Sequence, residues 1–259
     1  MTGAAKGTVM RLLVSLGKAC GEYQNNVLIN LPCARIECDE IWSFCYAKQK
    51  NVPDKFKNIF GYGSIWTWVA IDPDSKLVPS WYVGHRDFDA CYDFLSDLEP
   101  RLAKKRIQIS TDGFESYKVI IPIIFHKKVD YGVIQKNYGV VRFETDENER
   151  RYSPNQCIGS TKIKIKGRPK KALISTSYIE RQNLSMRMSM RRFTRLTNGF
   201  SRKVENLESA ISLHYMYYNF CRAHHSLSRN ASRGITPAMA AKVSKHQWSV
   251  QEIVELFSN

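Results

Sequence analysis

The stretch RIECDEIWSFCYA, residues 35–47, decides the expected fold of this chain. Its apolar, aromatic and β-branched residues predict a β-strand, and Asp39 lies in the middle of it. A carboxylate at such a position is costly to bury without a partner. Asp39 therefore either has a function or lies on the solvent-exposed face of an edge strand, where the acidic side chains of Glu37 and Glu40 would also be tolerated. Because strand side chains alternate, Glu40 is expected on the face opposite Asp39.

Regular elements are predicted on both sides of this strand. A DPDS turn between two of the strands predicts a hairpin, and three consecutive strands followed by alternating helices and strands indicate a mixed α/β sheet covered by helices. The predicted helices are 7–22, 88–104, 114–125 (interrupted near Pro122), 177–197 and 204–223, and the predicted strands are 60–71, 76–84, 106–110 and a further one near 131–135.

The composition points to a globular protein with a polyanionic partner. The chain has 259 residues and a formal net charge of +15, and nucleic acid is the commonest partner of so basic a protein. It has no apolar run long enough to span a membrane and no signal peptide at its start. The seven cysteines are scattered without a C-x-x-C pair, which predicts neither a disulfide framework nor a zinc site and favours a reducing cytoplasm.

Most of the net charge comes from residues 160–203, which contain thirteen Lys or Arg residues and a single acid, Glu180, and so have a local charge of +12. Residues 137–172 lack strong periodicity and are predicted to be an insertion, either DNA-facing or a solvated linker. We expect the following basic residues to contact DNA: Lys162, Lys164, Lys166, Arg168, Lys170, Lys171, Arg187, Arg191, Arg192 and Arg195.

Two further acids have both a structural and a functional interpretation. Asp112 ends the strand RIQIST, where ligands usually bind in open α/β sheets, but it could also cap the next helix or form an Asp-Gly turn. Glu180 completes a capping-box pattern with Ser177, yet helical periodicity places it on one face with Leu184, Arg187 and Arg191. A phosphate running along that face would be repelled by Glu180 unless a divalent cation lay between them.

Together the three acids form one hypothesis. Asp39, Asp112 and Glu180 could converge on one or two Mg²⁺ ions, which prefer oxygen ligands. Two such ions can activate a water or a 3′-hydroxyl at a phosphodiester and stabilise the leaving oxygen, so that no covalent nucleophile is needed. The chain accordingly has no convincing Ser/His/Asp or Cys/His signature.

Four segments, in this order, resemble the DDE transposases of bacterial insertion sequences, most closely the IS-one type. They are IECDEIWSFCYAKQKN, ISTDGFESY, YIERQNLSMRMSMRRFTRLTNGFSRK and HYMYYNFCRAHHSL…TPAMA, and the resemblance runs from about Arg35 to Ala241. It implies an RNase H-like fold, with Asp39, Asp112 and Glu180 as the metal-binding catalytic triad. It also implies that Arg187 lies near the DNA.

The resemblance further implies a division of the chain and an activity. Residues 1–30 would be the remnant of a helix-turn-helix segment, 35–241 the catalytic domain with its insertion, and 242–259 a helical tail. The activity would be DNA cleavage and strand transfer at the element's terminal inverted repeats and into target DNA, with Mg²⁺ or Mn²⁺, in a homo-oligomer of the bacterial cytoplasm and nucleoid. The 68 residues from Asp112 to Glu180 are a longer spacing than is typical of the family.

Two rival functions stay open on the sequence. One is a truncated, non-catalytic DNA-binding protein that occupies DNA or inhibits active multimers, and the other is a different RNase H-like nuclease, such as a resolvase. Beyond the acids, Arg222, His224 and His225 follow the aromatic helix HYMYYNF. We expect packing or phosphate contact from these three residues rather than a direct catalytic role.

Overall fold

The computed structural model describes residues 3–103, 106–139, 157–194, 196–229 and 231–257. Its centre is a six-stranded sheet of order β3-β2-β1-β4-β5-β6. The strands are β1 (Arg35–Cys45), β2 (Gly63–Ile71), β3 (Ser80–Gly84), β4 (Ile107–Thr111), β5 (Val129–Tyr138) and β6 (Cys157–Lys166).

The sheet is mixed, and β1 lies inside it. β1 pairs antiparallel with β2 and parallel with β4, and β2 pairs antiparallel with β3, as the predicted hairpin requires. β5 is parallel to β4, whereas β6 is antiparallel to β5. An antiparallel meander of three strands followed by parallel additions is consistent with the RNase H-like fold. The prediction of an α/β sheet is confirmed, and the alternative of an edge strand for Asp39 is wrong.

Helices cover both faces of this sheet. The longer ones are α1 (Lys6–Val27), α2 (Phe88–Leu98), α3 (Glu115–Phe125), α4 (Ser177–Ser189) and α5 (Val204–Met216), which continues as a π-helical turn (Tyr217–Cys221). Three short helices follow, α6 (His225–Ser228), α7 (Pro237–Ala240) and α8 (Val250–Glu255).

Two apolar cores result from the alternation of strand side chains. Cys38 and Trp68 face α2 and α3, where they pack with Phe94. Ile41 and Val69 face α4 and α5 on the other side of the sheet. α4 and the residues that follow it contribute Ile179, Met186, Met190 and Phe193 to the second core.

The first helix is part of this packing. α1 lies along α5, and a Cβ added at Gly17 would be 2.5 Å from the side chain and carbonyl oxygen of Ser209. The side-chain amide of Gln24 donates to the Ser212 carbonyl across the same contact at 3.1 Å. Gly17 therefore permits a close approach of two helix backbones.

Several predicted boundaries are wrong. α4 ends at Ser189 rather than 197, because Met190 adopts an extended backbone before a 3₁₀ turn that buries Phe193. α3 is continuous through Pro122, whose carbonyl accepts a hydrogen bond from Lys166. Part of the insertion forms β6, where no strand was predicted, and residues 140–156 of it lie outside the described residues. α1 is longer than predicted, α2 ends at Leu98 and β3 starts at Ser80.

Two negative predictions can be compared with the structure. All seven cysteines are unpaired thiols, and six of them are buried. Within the described ranges, no helix has the length and apolar character needed to cross a lipid bilayer.

Candidate metal and nucleic-acid site

The three predicted acids line one cleft of about 650 Å³. Asp39 comes from the middle of β1, and Asp112 follows the last residue of β4, the strand parallel to β1. Glu180 lies in the first turn of α4, which packs on the same face of β1 as Asp39. The cleft wall also contains Lys136 of β5 and Arg187 of α4.

Asp39, Glu40 and Asp112 form a close acidic group, in which one carboxylate oxygen of each residue lies within 4.8 Å of the others. Glu180 lines the cleft without joining that group. Asp39 Oδ2 accepts a hydrogen bond from Asn183 Nδ2 at 2.9 Å, so α4 holds the β1 carboxylate in place. Asp112 Oδ1 accepts from the Phe114 backbone N–H at 3.0 Å, just before the start of α3.

Burial and mutual repulsion shift the acids toward their protonated forms. Burial, and then the charge of Asp112, raises the pKa of Asp39 to about 6. Burial, and then the charges of Asp39 and Asp112, raises the pKa of Glu40 to about 8. A cation bound among these oxygens would remove both the repulsion and part of the cost of burial.

Glu180 is held from two sides. Its Oε1 accepts from the Thr176 hydroxyl at 2.5 Å, and its Oε2 lies 2.6 Å from Lys136 Nζ. Lys136 thus supplies a positive charge beside Glu180, the carboxylate that was predicted to bind a metal ion. The pair is partly exposed, which allows another cation to compete for Glu180.

Glu37 fixes the start of α4. Its Oε2 accepts hydrogen bonds from the backbone N–H groups of Tyr178 at 2.8 Å and Ile179 at 3.1 Å. The carboxyl group of a strand therefore caps the helix that carries Glu180, and the Ser177 side chain bonds Ser175 instead. Burial raises the pKa of Glu37 to about 7, against the lowering effect of the two N–H groups.

Glu40 has a cationic neighbour on its own side of the sheet. Its Oε2 lies 3.4 Å from both Nε and Nη2 of Arg86. The Arg86 guanidinium stacks over the rings of Phe114, 4.1 Å from the centroid, and Trp66, at 5.0 Å. Among the described residues, Glu40 Oε1 has no hydrogen-bond partner although it is buried.

The predicted DNA-binding residues of α4 and its continuation separate into different environments. Arg187 lines the acidic cleft, whereas Arg191 lines a neighbouring cleft of about 790 Å³ beside Phe44 and Tyr46. Arg192 is half-buried and donates to the Ser201 hydroxyl at 2.9 Å, and burial lowers its pKa. The prediction that Arg191 shares a helix face with Glu180 is wrong, because α4 ends before Arg191. Arg195 lies outside the described residues.

The basic run of the insertion does not line the acidic cleft, although Lys162 pairs across the sheet with Ile134 of the cleft wall. Its members lie on or after the edge strand β6, and none of them lines the acidic cleft. The side chains of Lys162 and Lys166 donate hydrogen bonds to the carbonyls of Ala172 and Pro122. The backbone N–H groups of Arg168 and Lys170 donate to the side chains of Asp130 and Gln108. Lys164 pairs across the sheet with Gly132, and Lys171 starts a 3₁₀ turn.

The sequence reasoning missed five residues that shape this site. Asn183 lies three positions after Glu180, on the same side of the helix, so helical spacing could have identified it. Alternation of strand side chains puts Glu40 on the face opposite Asp39 and gives no reason to group the two acids. Glu37, Arg86 and Lys136 carried no local signal, since their roles depend on contacts between elements distant in sequence.

Comparisons with known proteins add little to this geometry. No protein-family model matches the sequence, and no curated protein matches it. Among solved structures, the chain is similar to piggyBac transposase in a cryo-EM structure of its synaptic complex with hairpin DNA, with a TM-score of 0.36 and 10% sequence identity. The match covers 88% of this chain and 57% of the other, so the chain spans little more than half the length of that protein.

Proposed function

We propose that this chain is a metal-dependent DDE transposase related to the IS-one type. The observation that carries the proposal is the single cleft in which Asp39 and Asp112, from neighbouring parallel strands, face Glu180 of α4, with Arg187 in the same wall. This arrangement provides the two things a phosphodiester reaction needs, carboxylate oxygens for hard cations and a fixed positive charge for phosphate.

The residues present fit a divalent cation. The oxygens of Asp39, Glu40 and Asp112 lie close together. Burial, and then repulsion from Asp112, raises the pKa of Asp39, and bound Mg²⁺ or Mn²⁺ would relieve that repulsion. We assign Asp39 and Asp112 as shared ligands and Glu180 as the residue that completes a second site. When bound, the ions would activate a water or a 3′-hydroxyl and stabilise the leaving oxygen.

The chain's own residues orient the reactants. Asn183 holds one oxygen of Asp39, and Glu37 fixes the helix start from which Glu180 projects. Arg187 would hold the phosphate next to the acids, and Arg191 would hold the next part of the strand in the neighbouring cleft. Arg191 lies two residues after the end of α4, so the two arginines would form one basic path for the strand.

DNA is the proposed substrate, as terminal inverted repeats and as target. The net charge of +15 supports a polyanionic partner. We further propose residues 35–241 as the catalytic domain, 1–30 as a segment of helix-turn-helix type and 242–259 as a tail. Function as a homo-oligomer in the bacterial cytoplasm belongs to the same proposal.

The test compares Asp112→Asn with the control Asp89→Asn, which changes an exposed acid in the first turn of α2. We expect Asp112→Asn to abolish Mg²⁺-dependent nicking of DNA and to leave DNA affinity at the wild-type level. The control should retain both properties. Equal loss of nicking and affinity in Asp112→Asn would show that this acid is structural and would contradict the proposal.

A second assay separates strand transfer from hydrolysis. The wild-type protein is incubated with a labelled, pre-cleaved 3′-hydroxyl end and an unlabelled target duplex. A transposase joins the label to the target, whereas a nuclease of the same fold only shortens DNA. Absence of joined product under conditions that support nicking would favour the nuclease.

A further inference from the structure

A second cleft lies on the other side of α4. Its volume is about 410 Å³, and the side chains that line it include five that are basic or imidazole, with no carboxylate among them. The five are Lys76, Arg181, Arg222, His224 and His225. The proposed function uses none of them.

α4 separates this cleft from the acidic one. Glu180, Asn183 and Arg187 face the acids, whereas Tyr178, Arg181, Gln182 and Ser185 line the second cleft. An α-helix with its side chains is about 10–12 Å across. The two clefts are therefore separated by about one helix diameter.

Lys76 is held rigidly in the wall of the second cleft. Only 8% of the residue is exposed. Its Nζ donates to the Pro73 carbonyl and lies 3.7 Å from the centroid of the Tyr178 ring, while its own carbonyl accepts from the Tyr218 hydroxyl at 3.0 Å. Of the two carboxylates in the same turn, Asp74 forms an ion pair with Arg35, and Asp72 accepts hydrogen bonds from the backbone N–H and hydroxyl of Ser75. The cleft thus has a fixed positive charge at its base.

The remaining cations converge on this charge. Burial, and then the charges of Lys76, Arg222 and His225, lowers the pKa of His224. Within the described ranges, no carboxylate forms an ion pair with Arg181, Arg222 or His225. Positive charges gathered in a cleft without acids attract an anion.

We propose that this second cleft binds a phosphate group of a nucleic-acid backbone. Arg181 and Arg222 would hold the phosphate oxygens from two sides, with Lys76 below them. A backbone explains the position of the cleft, because phosphates across a duplex groove are separated by distances comparable to the diameter of α4. One duplex lying over α4 would then engage both clefts. The inference rests on the proposed function only in naming DNA as the source of the phosphate.

The test uses Arg222→Ala and Arg181→Ala, with Arg229→Ala as the matched control. Arg229 is exposed and belongs to the same C-terminal segment, but it does not line the cleft. Affinity for a duplex long enough to cover α4 is measured over a salt series. Loss of one phosphate contact lowers the slope of log affinity against log salt concentration by about 0.9. We expect that change in both cleft variants, no change in Arg229→Ala and a wild-type slope in Arg222→Lys.

A second measurement distinguishes a backbone from a small phosphate compound. Inorganic pyrophosphate is titrated into the wild-type protein while the ring protons of His224 and His225 are followed by NMR. Pyrophosphate shifts that disappear in Arg222→Ala, together with the lowered DNA slope, support the proposal. Shifts without any change in slope would mean that the cleft takes a small phosphate, and no effect in either measurement would mean that it takes none. Both results overturn the inference.

These measurements are independent of catalysis. If the cleft variants lower the salt slope while the wild-type protein fails to nick DNA, the backbone site stands and the transposase assignment falls. If nicking depends on Asp112 but the salt slopes of the cleft variants are unchanged, the transposase assignment stands and the backbone site falls. Thermal unfolding of each variant establishes that a changed slope comes from a folded protein.

Discussion

Truncation of Glu37 should loosen the helix that carries Glu180. In the folded protein, Glu37 is 3% exposed, and one of its oxygens accepts the first two free N–H groups of α4. In Glu37→Ala these two groups lose their acceptor, and the Ile179 N–H is buried. In Glu37→Gln, the amide oxygen can occupy nearly the same position as Glu37 Oε2 and can still accept these hydrogen bonds.

The magnitude follows from these two hydrogen bonds. A buried donor left without an acceptor costs about 1–3 kcal/mol, and the loss of a helix cap typically costs about 1 kcal/mol. We therefore expect Glu37→Ala to lower the free energy of unfolding by about 2–4 kcal/mol relative to Glu37→Gln. Glu22→Ala, which removes an exposed acid of α1, serves as the control and should change stability by less than about 0.5 kcal/mol.

The same pair of variants gives a pH dependence with a definite sign. Burial raises the pKa of Glu37 from 4.5 to about 7, so the folded state holds a proton that the unfolded state has lost. Wild-type stability should therefore fall as pH rises from about 4.5 to about 7, by an amount on the order of 3 kcal/mol. Glu37→Gln cannot titrate, and its advantage over the wild type should grow across that interval.

Urea denaturation, followed by circular dichroism between pH 4.5 and 8, measures both effects. Equal stability of Glu37→Ala and Glu37→Gln at every pH would refute the capping role of Glu37. Such a result would mean that the α4 backbone is held by its apolar face alone. A constant difference between wild type and Glu37→Gln would contradict the raised pKa and leave the capping role intact.

Three further predictions concern other parts of the molecule. Gly17→Ala would put its new Cβ 2.5 Å from Ser209 of α5 and should lower the free energy of unfolding by about 1–3 kcal/mol. Gly21→Ala should cost less, because its Cβ would lie 3.3 Å from Ser212 Oγ. Equal effects in urea denaturation would show that α1 is not tightly packed. Burial lowers the pKa of His214 to about 4, so the unfolded state alone gains a proton between about pH 6.5 and 4. Wild-type stability should therefore fall by an amount on the order of 3 kcal/mol as pH falls over that range, and His214→Gln should not show this fall. An unchanged pH profile in His214→Gln would exclude His214 as its source. Lys136→Met should lower the Mn²⁺ concentration needed for half-maximal nicking, because Lys136 Nζ lies 2.6 Å from Glu180; a raised requirement would mean that Lys136 assists metal binding.

The sheet could be predicted because most of its strands bury their apolar residues. β1, β2 and β4 are central and carry buried apolar side chains that give a clear pattern. β6 was missed although its lysines and isoleucines alternate strictly, since it is an edge strand whose Ile163 and Ile165 are 36% and 38% exposed. An edge strand with solvent on both faces lacks the buried stripe on which sequence patterns depend.

The end of α4 was beyond the reach of local sequence signals. Residues 177–197 contain neither Gly nor Pro, and the periodicity of Met186, Met190 and Phe193 continues past the observed end. The helix stops because Met190 turns extended, which allows Phe193 to enter the core beside β1. Packing between distant elements overrides helix propensity here. The consequence for the site is that Arg191 belongs to a different cleft from Glu180.

The position of Glu40 shows when the alternation of strand side chains misleads. The pairing of β1 with β4 ends at Glu37 and Ser110, whereas β1 itself continues to Cys45. Beyond the end of β4, the space beside β1 is therefore open to side chains from both faces of the strand. Asp39 from one face and Glu40 from the other both reach Asp112, which follows β4 directly. Alternation separates two side chains only where a neighbouring strand closes the sheet between them. An acid pair on a long strand beside a short parallel one should therefore be considered as a single group.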